Sequence, residues 1–351
     1  MGNIFFNRNE RRLRAGWRIL FQGLIFFAGV MLVNILVGIL LFLLIQATGG
    51  NAMDPQTILL MSAQPLTRIL TALGALAFAL LSYWIAARWL DRRPFKDFGF
   101  RFNRDWWIDL AFGLFLGAIL MVFIFVVELS AGWITIAGTL QGSGYSSSFW
   151  FEILSLLFLF LAVGIYEEML SRGYHLRNLA EGFNFKPLNP RLALLLAYVV
   201  SSSMFGLFHL ANANTTWVST VNLIVAGLFL GLGYMLTGEL AIPIGIHITW
   251  NFFQGNVFGF PVSGGSAGAT FIAIRQGGPD LWTGGPFGPE AGLIGITAIA
   301  VGSLLIFLWV RWRYGEVKLK ESLAVYLPKG GPSPAEMAEP AAPTLPESHP
   351  L

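Results

Sequence analysis

Long apolar stretches are the feature of this sequence that most restricts how the chain can fold. A helix that spans a bilayer needs about 20 mainly apolar residues, and eight stretches approach or exceed that length. They lie near 17–46, 67–90, 107–129, 148–171, 192–211, 217–237, 240–258 and 291–312. The sequence therefore predicts an all-α polytopic membrane protein with about eight transmembrane helices.

The composition agrees with this prediction. Charged residues make up 12% of the chain, whereas soluble proteins average about 25%, so the chain has too little charge to cover a soluble surface. The net charge of +3 is too small for binding to a phosphate backbone. The sequence contains no cysteine, which excludes disulfides, thiolate metal sites and cysteine nucleophiles. A soluble globular enzyme, a disordered protein and a nucleic-acid binder are therefore excluded.

Basic residues predict the orientation of the chain, because Lys and Arg concentrate in cytoplasmic loops. They cluster before the first stretch, between the second and third, after the fourth and after the eighth. In contrast, the loops 47–66 and 130–147 contain no Lys or Arg. We therefore expect a multi-pass protein of the cell membrane with both termini in the cytoplasm.

The chain divides into five parts. Residues 1–147 carry a basic N-terminus and the first three helices, and 148–258 form a core of four helices. Residues 259–290 are rich in Gly and Pro, so we expect an outer loop with a structured cap or a re-entrant turn rather than a stable helix. Residues 291–324 hold the last helix and its basic flank, and 325–351 are predicted to be a disordered cytoplasmic tail.

Ionisable residues inside apolar stretches are candidate functional residues, because a charge in hydrocarbon costs several kcal/mol. Adjacent glutamates can instead cap a helix, and a membrane His or Asn often forms a hydrogen bond between helices. Acidic residues at a cytoplasmic helix C-terminus oppose the helix dipole, however, so capping explains the glutamates poorly. The candidate residues are Glu167, Glu168, Arg172, His209, His247 and Asn251.

Helix geometry gives the two glutamates different roles. Glu167 and Glu168 lie about 100° apart around a helix. Arg172 follows Glu168 by four residues, which is the spacing of an ion pair on one helix face. Glu167 is then unpaired by its own helix. Because an apolar environment disfavours its charged form, Glu167 is suited to act as a general base.

The remaining candidates complete a set for direct hydrolysis of an amide. His209 could hold a water molecule beside Glu167. His247 and Asn251 are four residues apart and share one helix face, from which they could donate hydrogen bonds to a developing oxyanion. Zinc bound by Glu167, His209 and His247 is the alternative, but the sequence has no H-E-x-x-H motif and Asn251 is a weak zinc ligand. We favour a metal-free site without a cofactor.

These residues resemble the CPBP family, which comprises CAAX prenyl proteases and bacteriocin-processing intramembrane peptidases and is also called the Abi family. Its pattern is E-E-x-x-x-R, then F-x-x-x-H, then H-x-x-x-N/B, and the resemblance covers about 148–258. The matching motifs are Glu167-Glu168-x-x-x-Arg172, Phe205-x-x-x-His209 and His247-x-x-x-Asn251.

The resemblance implies an all-helical fold with a site inside the membrane that opens toward the cytoplasm. It also implies a glutamate mechanism in which Glu167 activates water, His209 positions that water, and His247 and Asn251 form the oxyanion hole.

One conflict follows from the predicted helix limits. They place Glu167 near the cytoplasmic end of one helix and His209 near the outer end of the next, too far apart to share a water. We therefore expect the fourth helix to continue beyond Arg172.

The leading function is that of an intramembrane endopeptidase acting on a membrane-associated peptide or protein in the lipid bilayer. A non-catalytic scaffold or partner-binding relative, and a proton-coupled transporter, are the alternatives. The intact motifs argue against the first alternative, and the missing internal repeat argues against the second.

The sequence does not decide among four substrates: a prenylated CAAX protein, a peptide pheromone, a bacteriocin leader and a membrane-protein fragment. Gly-x-x-x-Gly motifs at 113–117 and 227–231 permit close helix approach, but the sequence does not fix the oligomeric state.

Overall fold

The computed structural model describes residues 4–8, 10–52, 54–144, 148–266 and 268–326. Two antiparallel sheets are present there, β1 (Phe6–Asn7) with β2 (Arg12–Leu13), and β3 (Ile134–Gln141) with β4 (Thr270–Gln276). The helices are α1 (Ala15–Ala47), α2 (Pro55–Ser62), α3 (Pro65–Ile85), α4 (Arg104–Ser130), α5 (Phe149–Glu168), α6 (Arg177–Phe183), α7 (Pro190–Phe208), α8 (Trp217–Thr237), α9 (Ala241–Phe252), α10 (Asp280–Thr283) and α11 (Leu293–Tyr314). The predicted all-α class is confirmed.

Seven helices in the described ranges are long and apolar enough to cross a membrane, so the chain is a multi-pass membrane protein. The count of eight is not confirmed. The stretch at 240–258 forms only α9, of 12 residues, followed by a 5-residue π-helical turn at Phe253–Val257. The seven are Ala15–Ala47, Pro65–Asp91, Arg104–Ser130, Phe149–Phe183, Pro190–Phe208, Trp217–Thr237 and Leu293–Tyr314.

The fourth membrane helix is longer than its apolar stretch. A π-helical segment, Met169–Leu176, joins α5 to α6, so that one helix of 35 residues runs from Phe149 to Phe183. The expected continuation beyond Arg172 is therefore confirmed. At 1.5 Å per residue the helix is about 50 Å long, and Glu167 lies near its middle rather than at its end.

Two segments without helical character pair as strands. β3 and β4 are antiparallel, with Ile134 opposite Gln276 and Gln141 opposite Thr270. β3 precedes α5 and β4 follows α9, so the sheet joins the two ends of the helical core. β4, α10 and two 3₁₀ turns lie in the 259–290 loop. Of the predicted tail at 325–351, residues 327–351 lie outside the described ranges.

Glycines let two helices, α4 and α5, pack closely against α9. A Cβ atom on Gly113 of α4 would collide with the carbonyl oxygen of Ile242 in α9. On Gly164 of α5, a Cβ would lie 2.6 Å from Cγ1 of Ile248. Gly117 also meets α9, so the first Gly-x-x-x-Gly motif serves packing within the chain. These contacts fix α9 between α4 and α5.

A buried ion network fastens α1 to the long helix. Arg18 of α1 lies with Nη1 2.7 Å from Oδ1 of Asp91 and 3.2 Å from Oε2 of Glu181 in α6. Arg12 of β2 places Nη2 2.7 Å from the same Glu181 oxygen. These side chains are at most 2% exposed. Basic residues that served only to predict orientation therefore also hold α1 in position.

Candidate active site

The two glutamates at the end of α5 have different partners, as their spacing predicts. Nη1 of Arg172 lies 2.8 Å from Oε1 of Glu168, in an ion pair whose side chains are 1% and 0% exposed. Nη2 of Arg172 donates to the carbonyl of Gly227 in α8 at 2.9 Å. The guanidinium lies 4.6 Å from the centre of the Phe205 ring, within the range of a cation–π contact. Glu168 is thus committed to a buried structural contact.

The same Glu168 oxygen also binds a histidine. Nδ1 of His247 lies 2.7 Å from Oε1 of Glu168. Because an ionised carboxylate only accepts hydrogen bonds, Nδ1 carries the hydrogen. Nε2 is then the second ring nitrogen, and it lies 3.9 Å from Oε2 of Glu167. Glu168 therefore fixes the ring so that its other nitrogen approaches Glu167.

His209 follows the last residue of α7. Its Nδ1 lies 2.7 Å from the carbonyl oxygen of Phe205, and since a carbonyl only accepts, Nδ1 donates. Nε2 is consequently the nitrogen that stays available for a further partner. Phe205 thus has two functions, because its backbone orients His209 while its ring packs under Arg172.

One cavity of about 730 Å³ brings the candidates together. Glu167, His209, His247 and Asn251 all line it. Glu167 faces it with a side chain that is 24% exposed, whereas that of Glu168 is fully buried. Most of the wall is apolar, and α1 contributes one side. The α1 residues are Ile19, Leu20, Gly23, Leu24, Phe26 and Phe27.

The polar residues of the cavity that the sequence analysis did not identify include His175, Ser263 and Glu290. His175 of the π-helical segment is 4% exposed and lines the cavity. Ser263 and Glu290 enter the cavity from the 259–290 loop. No periodic pattern surrounds them in the sequence, and the density of glycine gave no indication that a buried carboxylate lies there.

The alternative of a zinc ion bound by Glu167, His209 and His247 gains no support from the arrangement of these side chains. Within the described ranges, no group of three His, Asp or Glu side chains comes together as a metal site. Nδ1 of His247 is engaged by Glu168, which leaves that ring one nitrogen for any other partner. No reaction step is therefore derived through a metal.

The fold and the cavity define a class of multi-pass membrane protein with carboxylate, histidine and asparagine side chains enclosed among its helices. The family model of the type II CAAX prenyl endopeptidases, described as Rce1-like, matches residues 149–253. This match confirms the resemblance, and residues 149–253 are similar to the domain of this peptidase family. No curated protein and no solved structure matches the chain.

The match includes all seven motif residues and ends before the 259–290 loop. At the level of the family, this match supports a CAAX-type intramembrane endopeptidase whose substrate is a membrane-associated peptide or protein.

Proposed function

We propose that Glu167 activates the water that cleaves the peptide bond. The observation that carries this proposal is the division of the two glutamates. Glu168 is bound by Arg172 and His247, while Glu167 lines the cavity and approaches Nε2 of His247 to 3.9 Å. Glu167 is the carboxylate that a water and a substrate can reach.

The proposed reaction needs only groups of this chain. Glu167 takes a proton from water, and the resulting hydroxide attacks the scissile carbonyl carbon while His209 holds the water through Nε2. Asn251 donates a hydrogen bond to the oxyanion, and His247 donates a second one through Nε2 when its ring carries a hydrogen on both nitrogens. The C–N bond then breaks as Glu167 returns the proton to the leaving amine. The products are a carboxylic acid and an amine, and no metal or cofactor takes part.

The proposed substrate is a prenylated peptide. The family that matches residues 149–253 is one of prenyl endopeptidases, and the apolar face of α1 along the cavity suits a hydrocarbon chain beside the peptide. The distribution of Lys and Arg supports a location in the cell membrane with both termini in the cytoplasm. Because seven crossings would place the termini on opposite sides, this arrangement also requires α9 and the π-helical turn after it to cross the membrane.

The test uses purified protein in detergent and a fluorogenic peptide that carries a farnesylated cysteine. We expect the wild type to cleave it, and Glu167→Gln, His209→Ala and His247→Ala to lose cleavage by about a hundredfold or more while their melting temperatures stay near that of the wild type. Glu152→Gln is the matched control, because Glu152 is also buried but does not line the cavity. Turnover by Glu167→Gln at the wild-type rate would disprove the role of Glu167. A wild type that binds the peptide and never cleaves it would favour the scaffold alternative.

A further inference from the structure

The 259–290 loop is bonded to the segment that carries His209. Nδ2 of Asn212 donates to the carbonyl of Ser263 at 3.0 Å, and Nδ2 of Asn214 donates to that of Gly264 at 3.0 Å. The backbone N–H of Asn212 in turn donates to the carbonyl of His209 at 3.0 Å. The position of His209 is therefore coupled to that of the loop.

The contact is tight enough to require glycine. Gly264 has a φ of +85°, and a Cβ atom there would collide with the carbonyl oxygen of Ala213. Only glycine adopts this conformation without strain and lets two backbones approach so closely. The loop thus meets the segment after α7 in a defined register rather than in a loose contact.

Glu290 anchors this part of the loop. It is 7% exposed, and its Oε2 accepts hydrogen bonds from the backbone N–H of Ser263 at 2.7 Å and from the Ser263 hydroxyl at 3.0 Å. Ser263 is the residue whose carbonyl binds Asn212. A continuous path of hydrogen bonds therefore runs from the Glu290 carboxylate to the backbone of His209.

Glu290 also lines the same cavity as His209. Both residues line it, together with the titratable side chains of Glu167, His175 and His247. Burial raises the pKa of Glu290, while the hydrogen bonds from Ser263 and the charge of His209 act in the opposite direction. A carboxylate of this loop and an imidazole of the family motif thus line the same cavity.

We propose that Glu290 is a positioning residue of the active site, which holds His209 in place through Ser263 and Asn212. This inference rests on the proposed function of His209. Glu290 lies outside the matched range 149–253, so the loop adds to the site a group that the family domain does not contain. The reaction site then extends beyond the family domain.

Glu152 provides a matched comparison. Its buried carboxylate also accepts a loop N–H, that of Ser143, at 2.7 Å, but Glu152 does not line the cavity. Replacing Glu152 or Glu290 by Gln removes one buried carboxylate in each case and keeps a side-chain oxygen that can accept a hydrogen bond. Only the substitution at Glu290 should alter the position of His209.

The experiment measures kcat and KM for the farnesylated peptide and the NMR signals of ring-labelled histidine in the purified full chain. We expect Glu290→Gln to lower kcat about tenfold with KM unchanged, since small displacements of a catalytic group are costly. The His209 signal, assigned with His209→Asn, should shift in Glu290→Gln and stay in place in Glu152→Gln. Both Gln variants should melt no earlier than the wild type by more than a few degrees.

A wild-type kcat together with an unshifted His209 signal in Glu290→Gln would overturn the proposal. A rise in KM alone would also overturn it, because Glu290 would then bind substrate rather than position His209. If the wild type does not cleave the peptide, the proposed function fails, yet the histidine signals still decide whether Glu290 holds His209.

Discussion

Glu168 and Arg172 allow the energetics of the site to be measured separately from its chemistry. Both side chains are almost completely buried, so neither charge is screened by solvent. Glu168→Met leaves a buried guanidinium with the Gly227 carbonyl and the Phe205 ring as neighbours. Breaking one side of such a pair costs about 3–5 kcal/mol, and Arg172→Met should cost a similar amount.

The double replacement should cost much less than the two single ones together. No lone charge then remains, and methionine fills a similar volume, so the loss should be about 3 kcal/mol smaller than the sum of the single losses. The double variant should remain poorly active even though it is more stable than the two single losses would predict. His247 loses the oxygen that binds its Nδ1, and a misoriented imidazole should lower kcat by about tenfold or more.

The assay is unfolding in mixed micelles, followed by tryptophan fluorescence, alongside cleavage of the farnesylated peptide. The control cycle uses Arg313 and Asp105, whose ion pair is exposed with side chains at 25% and 56%, and should give a coupling of about 1 kcal/mol or less. If the loss of stability in the double variant equals the sum of the losses in the two single variants, the buried ion pair does not contribute the predicted coupling energy. A stable double variant with full activity would refute the role of Glu168 in orienting His247.

Three further predictions concern packing, metal and pH. Gly164→Ala should lower both stability and cleavage, because its Cβ would lie 2.6 Å from Ile248 Cγ1. Gly38→Ala is the control and should change neither, because nothing lies within 4 Å of its Cβ. If the two variants change the melting temperature and the cleavage rate equally, the packing argument is wrong. Exhaustive chelation should leave peptide cleavage unchanged, and stoichiometric zinc in the purified active protein would reverse this expectation. Burial raises the pKa of Glu290 above its usual value of 4.5, so the folded state binds more protons and the contribution of this group to stability falls as pH rises through the raised pKa. Glu290→Gln should therefore gain stability relative to the wild type between acidic and neutral pH in melts at several pH values, and a constant difference would speak against a perturbed Glu290.

The sequence predicted what depends on local spacing. Apolar length predicted the membrane helices, and the four-residue interval predicted the pairing of Glu168 with Arg172. The continuation of the fourth helix followed from a geometric conflict between Glu167 and His209. All of these are relations within one helix or between helices of known length, which one-dimensional patterns can carry.

What the sequence could not predict depends on contacts between distant segments. The hydrogen bond between Glu168 and His247 joins residues 79 positions apart, and it arises because Gly164 lets α5 approach α9. The role of α1 as a wall of the cavity depends on the ion network of Arg18. Glu290 could not be assigned to the site, because its neighbours in the chain carry no periodic signal that reports burial.

The β3–β4 sheet has a consequence for the order in which the protein is made. β3 is synthesised before α5, but its partner β4 exists only after α9 has been completed, so a long exposed strand must wait for its pair. Such an edge readily joins another chain, and long-range pairing is a slow step in folding. The 259–290 loop, and with it Glu290, is therefore made after all the residues of the family motifs. A nascent chain would already carry Glu167, His209 and His247 while that side of the cavity is still uncovered.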